Sequence, residues 1–410
     1  MAISSTLDKT VSYVSIVVLI LMPVVSHAGG LGVAPLVFIL GLLGIVLKVR
    51  DNEPKIWFSL RFWALSVFFL WLSITALWSP YRPDDILTNY IKLLIMGLTF
   101  YFCPGTFKYV AKTKSKTLQR IFLITTYLSA IIIFLDVVSN FQITLFFNPA
   151  STSTELGYRI RDAEMNLGHG LTVLVLLSAP MVLLLKKQFK YWKFLTALFV
   201  ALIITASYLN NLWIGVFGIL AVVSIMLLAS KFPRLMPKMM IVLALSAVVL
   251  APLFAFLSHQ MLRSDLSVLP LSWEHRIRMW AYCWPVIADN TIIGSGFDAV
   301  RTFDEQWIAR DGRAITIVSL HPHNAGVHIW TEAGLIGCVL AASVIVSSWK
   351  FVAQLCQTQD MSILISGLLV AIILISSLSY GAWQFWWWGS VFFSFGFIHV
   401  IAHVRPIITK

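Results

Sequence analysis

Charge is what this sequence has least of. Only 12% of its residues are Asp, Glu, Lys or Arg, against 59% apolar, whereas a soluble domain carries roughly 25% charged and about 45–50% apolar residues. That shortage excludes an ordinary soluble protein and implies an integral membrane protein. Acidic residues are scarcer still, 18 against 30 Lys and Arg, for a formal charge of +12. The excess is dispersed over short loops, where it sets membrane orientation, and it does not indicate nucleic-acid binding. Cysteine is sparse as well. Cys103, Cys283, Cys338 and Cys356 form no disulfide framework, and no His/Cys/carboxylate group has metal-ligand spacing beyond a weak His321-Pro-His323. Neither a P-loop nor a dinucleotide fingerprint is present. No cofactor or metal is expected, and energy for any reaction must come from the substrate itself.

What the sequence has in abundance is long apolar runs. They fall at roughly 11–28, 30–48, 57–78, 86–103, 119–139, 167–185, 194–210, 212–229, 239–258, 324–348, 362–380 and 382–403. The expected fold is an all-α integral membrane protein of about twelve transmembrane helices. Nine of them lie in 1–258, a large loop occupies 259–322, and three lie in 323–410. Ser26-His27-Ala28 resembles a signal-peptidase site, but the preceding region is weakly basic and a second apolar run follows at once, so the first run is read as a membrane helix.

Lysines assign the sides. Lys48, Arg50 and Lys55, then Lys108, Lys112, Lys114, Lys116 and Arg120, then the loops around Lys186, Lys231 and Lys350, and finally Arg405 and Lys410, alternate with the remaining loops. Such loops favour the cytoplasm, which puts both termini there. The opposite side has no lysine but carries Arg82, Arg159, Arg161, Arg263, Arg276, Arg278, Arg301, Arg310 and Arg313. A planar guanidinium that grips phosphate at two points would explain that choice, through an external anionic ligand. Pairing with Asp162, Glu164, Asp265, Glu274, Asp304, Glu305 and Asp311 would explain it equally.

Within the loop, Ser272 to Asn290 reads as an amphipathic helix with Ser272 as N-cap and Glu274 in the first turn. Trp273, Ile277, Trp280, Trp284 and Ile287 recur at helical spacing, an aromatic face for the membrane or the bundle. Pro285 is expected to kink it. A turn at 289–296 and a second short helix at about Asp298–Ala309 should follow.

His321 to Gly337 places polar residues at the mouth of the tenth apolar run. Counting a helix from His323 at about 100° per residue puts Gly334 within about 20° of the same face and His328 about 140° away. Glycines there would let another helix pack closely and aim His323. Ordinary helix packing with interfacial histidines is the plainer reading of the same residues. Arg159, Arg161, Asn166, His169, Asn210 and Asn211 also lie near this surface, each taken singly more readily read as loop solvation than as a site.

His323-Asn324, nine residues, then Gly334-Leu-Ile-Gly337 resembles the His-[Asn/Ser/Gln]-x9-Gly-x-x-Gly pattern of the bacterial O-antigen ligase family. Arg276-x-x-x-Trp280 followed by Gly294-Ser-Gly296 is similar to that family's loop pattern, and the expected architecture resembles it over essentially the whole chain. The resemblance implies transfer of a glycan from undecaprenyl diphosphate to the outer core sugar of lipid A-core, on the periplasmic face of a Gram-negative inner membrane. By position it points to Arg276 and His323 as the essential residues, His323 as general base or positioning group and Arg276 at the leaving diphosphate. Arg278, Asn324, Arg159, Arg161 and Asn210 are the candidate substrate-binding residues, alongside contacts with membrane lipids. One departure stands out: Leu209-Asn-Asn-Leu-Trp213 places Asn210 where many members carry a diphosphate-binding arginine. O-antigen polymerase and protein O-oligosaccharyltransferase are the nearest alternatives. A lipid-linked oligosaccharide flippase, from a different class, should carry ionisable residues through its spans, and the mid-span candidates are few: Lys92, Asp136 and Glu332.

Overall fold

The computed structural model describes residues 2–51, 59–82, 86–147 and 156–402, with side chains from residue 6 in the first segment and from residue 93 in the third. Lys55, Arg405 and Lys410, and the side chain of Lys92, fall outside the described residues. In chain order the helices are α1 (Ala2–His27), α2 (Val33–Arg50), α3 (Leu60–Thr75), α4 (Ile86–Phe100), α5 (Cys103–Val138), α6 (Gln142–Phe147), α7 (Leu156–Gln188), α8 (Trp192–Leu209), α9 (Trp213–Lys231), α10 (Met236–Val249), α11 (Ala251–Met261), α12 (Leu271–Asp289), α13 (Ala325–Leu355), α14 (Gln359–Leu378) and α15 (Phe385–Ala402). One short hairpin, β1 (Gln306–Ile308) and β2 (Ala314–Thr316), lies between α12 and α13.

The chain is thus an all-α, multi-pass membrane protein. Among the described residues nine helices are long and apolar enough to cross a bilayer, or up to ten if the bent pair α10 and α11, angled by 59°, counts as one span. At 16 and 15 residues, α3 and α4 are shorter than the ~20 that a crossing requires. Length and apolarity alone therefore give nine or ten crossings where twelve apolar runs are read from the sequence.

α7 forms the centre, with 89% of its most apolar window buried; it is apolar on every face because neighbours surround it. α15 packs on α5 through aromatic rings, Phe122 stacking on Phe397 at 4.1 Å and Phe107 meeting Phe393 edge-on at 5.3 Å. The lysine-bearing loops gather at one end, where Arg50 pairs with Asp8 at 2.7 Å, Lys186 pairs with Asp360 at 3.2 Å and Gln188 bonds Gln119 at 3.1 Å. The large loop and the His323 segment lie at the other end. There Asp136 closes the α5–α6 corner, accepting from Ile143 N at 2.8 Å and Thr144 Oγ1 at 2.6 Å.

The loop differs from its sequence reading in two places. α12 starts at Leu271 after Pro270, so Ser272 sits within the first turn and caps nothing; Pro285 lies inside the continuous helix. Its aromatic face meets α11, with Phe254 4.7 Å from Trp280 and Phe256 5.1 Å from Trp284, so it faces the bundle. The expected second helix is only a 3-10 turn, Ala299–Thr302. Beyond it, Trp307 and Ile308 favour extended chain, and Asp311-Gly312, with Gly312 at φ +82°, closes the hairpin with Trp307 opposite Ile315.

α13 is broken at Gly334, where φ is 63° and ψ −161°. That region is essentially restricted to glycine. The turn at 291–296 inserts into the break and replaces the lost helical bonds. Thr331 O and Glu332 O, which would have served Leu335 N and Ile336 N, accept from Ser295 N and Gly296 N, both at 2.9 Å. Leu335 N and Ile336 N donate instead to Thr291 O at 2.8 Å and Ile292 O at 3.2 Å. Trp71 of α3 donates to Ala333 O at 3.0 Å, and Trp78 to Gly294 O at 3.1 Å. The helical count from His323 is thereby corrected: His323 precedes the helix, and Gly334 admits a turn, not a packing helix.

A Cβ on Gly334 would sit 2.5 Å from both Gly294 N and Ile292 O. Gly334→Ala is therefore expected to lower the melting temperature of the detergent-solubilised protein, with about 1–3 kcal/mol from the backbone conformation alone and more from the clash. Gly157→Ala, in a helical position with open space around it, should leave the melting temperature unchanged.

Candidate functional site

α12 and the 379–384 connection hold the His323 segment between them. Trp280 donates from Nε1 to Pro322 O at 2.7 Å. One turn earlier, on the same face, Arg276 donates from Nε to Leu378 O at 3.1 Å and from Nη1 to Ser272 O at 2.9 Å. The Arg276-x-x-x-Trp280 spacing so anchors the histidine loop with one side chain and brings a cation beside it with the other. Arg276 has no carboxylate partner among the described residues. Four other loop arginines do: Arg278 bonds Glu274 at 2.9 Å, Arg310 reaches it at 3.4 Å, Arg301 pairs with Asp298 at 3.0 Å and Arg313 with Asp311 at 2.6 Å; the exposed Arg263 has none among the described residues.

His323 adopts a left-handed backbone, φ 51°, which is uncommon outside glycine. Its N–H donates to His321 Nδ1 at 3.3 Å, and its own Nδ1 bonds Ser379 O. A carbonyl can only accept, so Nδ1 carries the ring proton and Nε2 presents its lone pair. Burial, then the nearby Arg276 charge, pushes the His323 pKa down to about 4, and burial with the neighbouring His323 pushes His321 down to about 2. Both rings are neutral at pH 7. Burial likewise draws Arg276 below its usual value, and it pushes the adjoining Tyr380 hydroxyl up to about 12, where it stays protonated beside Thr172 Oγ1 at 3.1 Å.

Asn324 caps α13, its Oδ1 accepting from Val327 N at 2.9 Å. Counting from that cap, the nine residues 325–333 are the half-helix that ends at Gly334. His328 Nδ1 accepts from Ala382 N at 3.0 Å and its Nε2 lies 3.2 Å from Glu332 Oε1. The fully buried Glu332 also accepts from Asp298 N at 2.9 Å, Val300 N at 3.1 Å and Trp383 Nε1. Asp298, Arg301, His321, His328 and Gln384 surround a polar niche of about 30 Å³, room for a water or a hydroxyl.

Of the residues proposed from sequence, Arg276 and His323 come together. Arg278 is turned towards Glu274 and stacks over Trp307 at 4.4 Å. Arg159 donates to Leu145 O at 3.3 Å, towards α6, and Arg161 is exposed on the same helix. Asn210 ends α8 and uses its amide on Glu164 O at 3.0 Å, so that donor joins α8 to α7. Sequence reasoning missed the 378–384 segment, whose Leu378 O, Ser379 O and Ala382 N orient Arg276, His323 and His328. Its one signal was Ser379-Tyr-Gly381 separating two apolar runs.

Residues 168–342 match the family model described as O-antigen ligase. That segment contains α12, the 291–296 turn, His323-Asn324 and both motif glycines. The resemblance to the O-antigen ligase family is borne out. The chain is also similar to the "Putative polysaccharide ligase RC0486" of Rickettsia conorii, 26% identical over 152 residues, 35% of this chain and 37% of the relative. The corresponding "Putative polysaccharide ligase RT0347" of Rickettsia typhi is 24% identical over 168 residues, 40% and 41% of the two chains. The chain therefore covers well under half the length of these relatives, and the O-antigen ligase match contains Arg276 and His323 but not the 378–384 segment that orients them.

Two expectations follow. Trp280→Phe keeps the packing on α11 but removes the bond to Pro322 O; it should loosen the histidine loop, seen as faster amide exchange at His323 and Asn324. A histidine held at about 4 when folded and near 6.5 when unfolded binds its proton first in the unfolded chain. Stability should thus rise with pH between about 4 and 6.5, and His323→Gln should flatten that slope in melting-temperature scans.

Proposed function

We propose that this protein is an O-antigen ligase, a membrane glycosyltransferase that moves a polysaccharide from undecaprenyl diphosphate to the outer core sugar of lipid A-core. In this reading it sits in a Gram-negative inner membrane with its site facing the periplasm and both termini in the cytoplasm. The observation that supports the proposal is a neutral histidine with a free Nε2 beside a half-buried arginine that has no carboxylate partner among the described residues.

The acceptor hydroxyl attacks the anomeric carbon of the donor sugar while the bond from that carbon to the diphosphate oxygen breaks. His323 Nε2 takes the hydroxyl proton, and Arg276 faces the charge that collects on the departing diphosphate. A single displacement inverts the anomeric centre. Arg276 also tunes the base: its charge helps to hold His323 at about 4, a weak base when alone. A bound diphosphate offsets that charge and lifts the histidine towards the range where it accepts a proton. Transport along a charged path is the weaker reading, because Asp136 and Glu332 are both engaged with backbone N–H donors.

Complementation of a ligase-deficient strain that supplies donor and acceptor tests the proposal. The wild-type gene should restore the lipopolysaccharide ladder on gels, and His323→Ala and Arg276→Ala, at equal membrane levels, should abolish it. Removal of a general base typically lowers rate by about 10²–10⁴-fold, enough to erase a ladder. Failure of the wild-type gene, with both substrates verified, would sink the ligase reading in favour of a polymerase, to be checked in a polymerase-deficient strain. Ladders that survive either substitution would keep the function and remove the residue's role.

A further inference from the structure

A cavity of about 480 Å³ runs through the bundle between α3, α4, α10, α13, α14 and α15. Gly326 and Trp383 frame it near the site, and Arg61 and Lys108 frame the other end. Ala325 and Val352 both line it, and they lie near opposite ends of the 31-residue α13. A cavity that long with that volume is narrow. Its shape suits a hydrocarbon chain and not a compact ligand, and its walls are aromatic and aliphatic, Phe69 and Leu369 among them.

The charged side chains that line it are all cations, and all lie at the lysine-rich end. Lys48 is there beside Arg61 and Lys108, with no Asp or Glu in the lining among the described residues. Among the described residues the acids of that end are engaged elsewhere: Asp8 and Asp51 both pair with Arg50 at 2.7 Å, and Asp360 with Lys186 at 3.2 Å. Arg61 lies over the Phe351 ring at 4.1 Å, and neither Arg61 nor Lys108 has a carboxylate partner among the described residues.

We propose that this cavity binds an anionic phospholipid, with an acyl chain in the bore and the phosphate between Arg61 and Lys108. Basic pockets between membrane helices take anionic headgroups in this way, and the bore adds chain burial to the headgroup contact. The position of the cations selects the occupant. An isoprenoid chain whose diphosphate sat at Arg276 would enter from the opposite end and leave Arg61 and Lys108 facing no phosphate.

Native mass spectrometry of the full chain in detergent tests this, with phosphatidylglycerol and phosphatidylcholine of identical acyl chains offered separately. Phosphatidylglycerol should be retained about tenfold better, and Arg61→Gln with Lys108→Gln should bring it down to the phosphatidylcholine level. Ala244→Trp, which fills the bore, should reduce retention of both lipids. Unchanged elution volume and melting temperature certify folding; should the tryptophan variant misfold, the charge variant decides alone. Equal retention of the two lipids by the wild-type protein would overturn the proposal, as would a preference that survives the double substitution. One-for-one displacement of phosphatidylglycerol by an isoprenyl diphosphate would overturn it too, by giving the bore to the carrier chain.

Discussion

The site depends on one exchange of backbone hydrogen bonds. A helix interrupted inside a membrane protein exposes carbonyls on one side of the break and N–H groups on the other, and each left unpaired costs on the order of several kcal/mol in hydrocarbon. Here the 291–296 turn supplies donors to Thr331 O and Glu332 O and acceptors to Leu335 N and Ile336 N, so the break is satisfied bond for bond. The fit requires two glycines facing each other. A Cβ on Gly294 would meet Glu332 O at 2.4 Å, and one on Gly334 would meet Gly294 N at 2.5 Å. The Gly-x-Gly of the loop and the first glycine of the helix motif are thus two halves of one joint, which explains why residues 40 positions apart belong to a single pattern.

From that joint the geometry of the histidine follows. The half-helix 325–333 is fixed at its far end by the inserted turn and at its near end by the Asn324 cap, so its length sets where His323 stands. Trp280 then holds Pro322 O, and Ser379 O fixes the imidazole tautomer. The left-handed backbone at His323 is tolerated because these contacts over-determine it. Keeping the ring neutral needs no special device. It is buried beside an arginine, and both circumstances disfavour a second positive charge.

Much of this was legible in the sequence, but not all for the same reason. Apolar runs of membrane length fixed the helical class, because hydropathy over twenty residues outweighs local detail. His323 and Arg276 could be named through the resemblance to the ligase family's motifs, since spacing alone left the histidines readable as interfacial polar residues. The break at Gly334 was hidden, because a helical count presumes the helix it is used to examine. The 298–309 segment was misread for a related reason: its Asp298 and Val300 N–H groups bond the Glu332 carboxylate, and Ser79 Oγ donates to the adjoining Phe297 O, and no local pattern reveals such long-range partners. Arg278 and Asn210 were plausible ligand contacts by residue type, yet each already has a neighbour to satisfy, Glu274 for one and Glu164 O for the other. Composition tells which groups can bind an anion. Only geometry tells which remain open to one.

Glu332 ties these parts into a single body. Its carboxylate gathers the Asp298 and Val300 N–H groups from the loop and the Trp383 indole from the α14–α15 connection, and it faces His328, whose other nitrogen accepts from Ala382 N. The same connection supplies the carbonyls that orient Arg276 and His323. Loop, half-helix and connection therefore cannot move independently without stranding a buried carboxylate, a displacement far costlier than losing one neutral hydrogen bond. If His323 and Arg276 act as proposed, such a site works by preorganisation: the two stand at fixed separation before any substrate arrives, and little reorganisation is left to the reacting step. The mobile partner in the reaction is then the glycan on its lipid and not the protein. On the proposed reading, that suits substrates that differ in the sugars they carry but present the same diphosphate to Arg276.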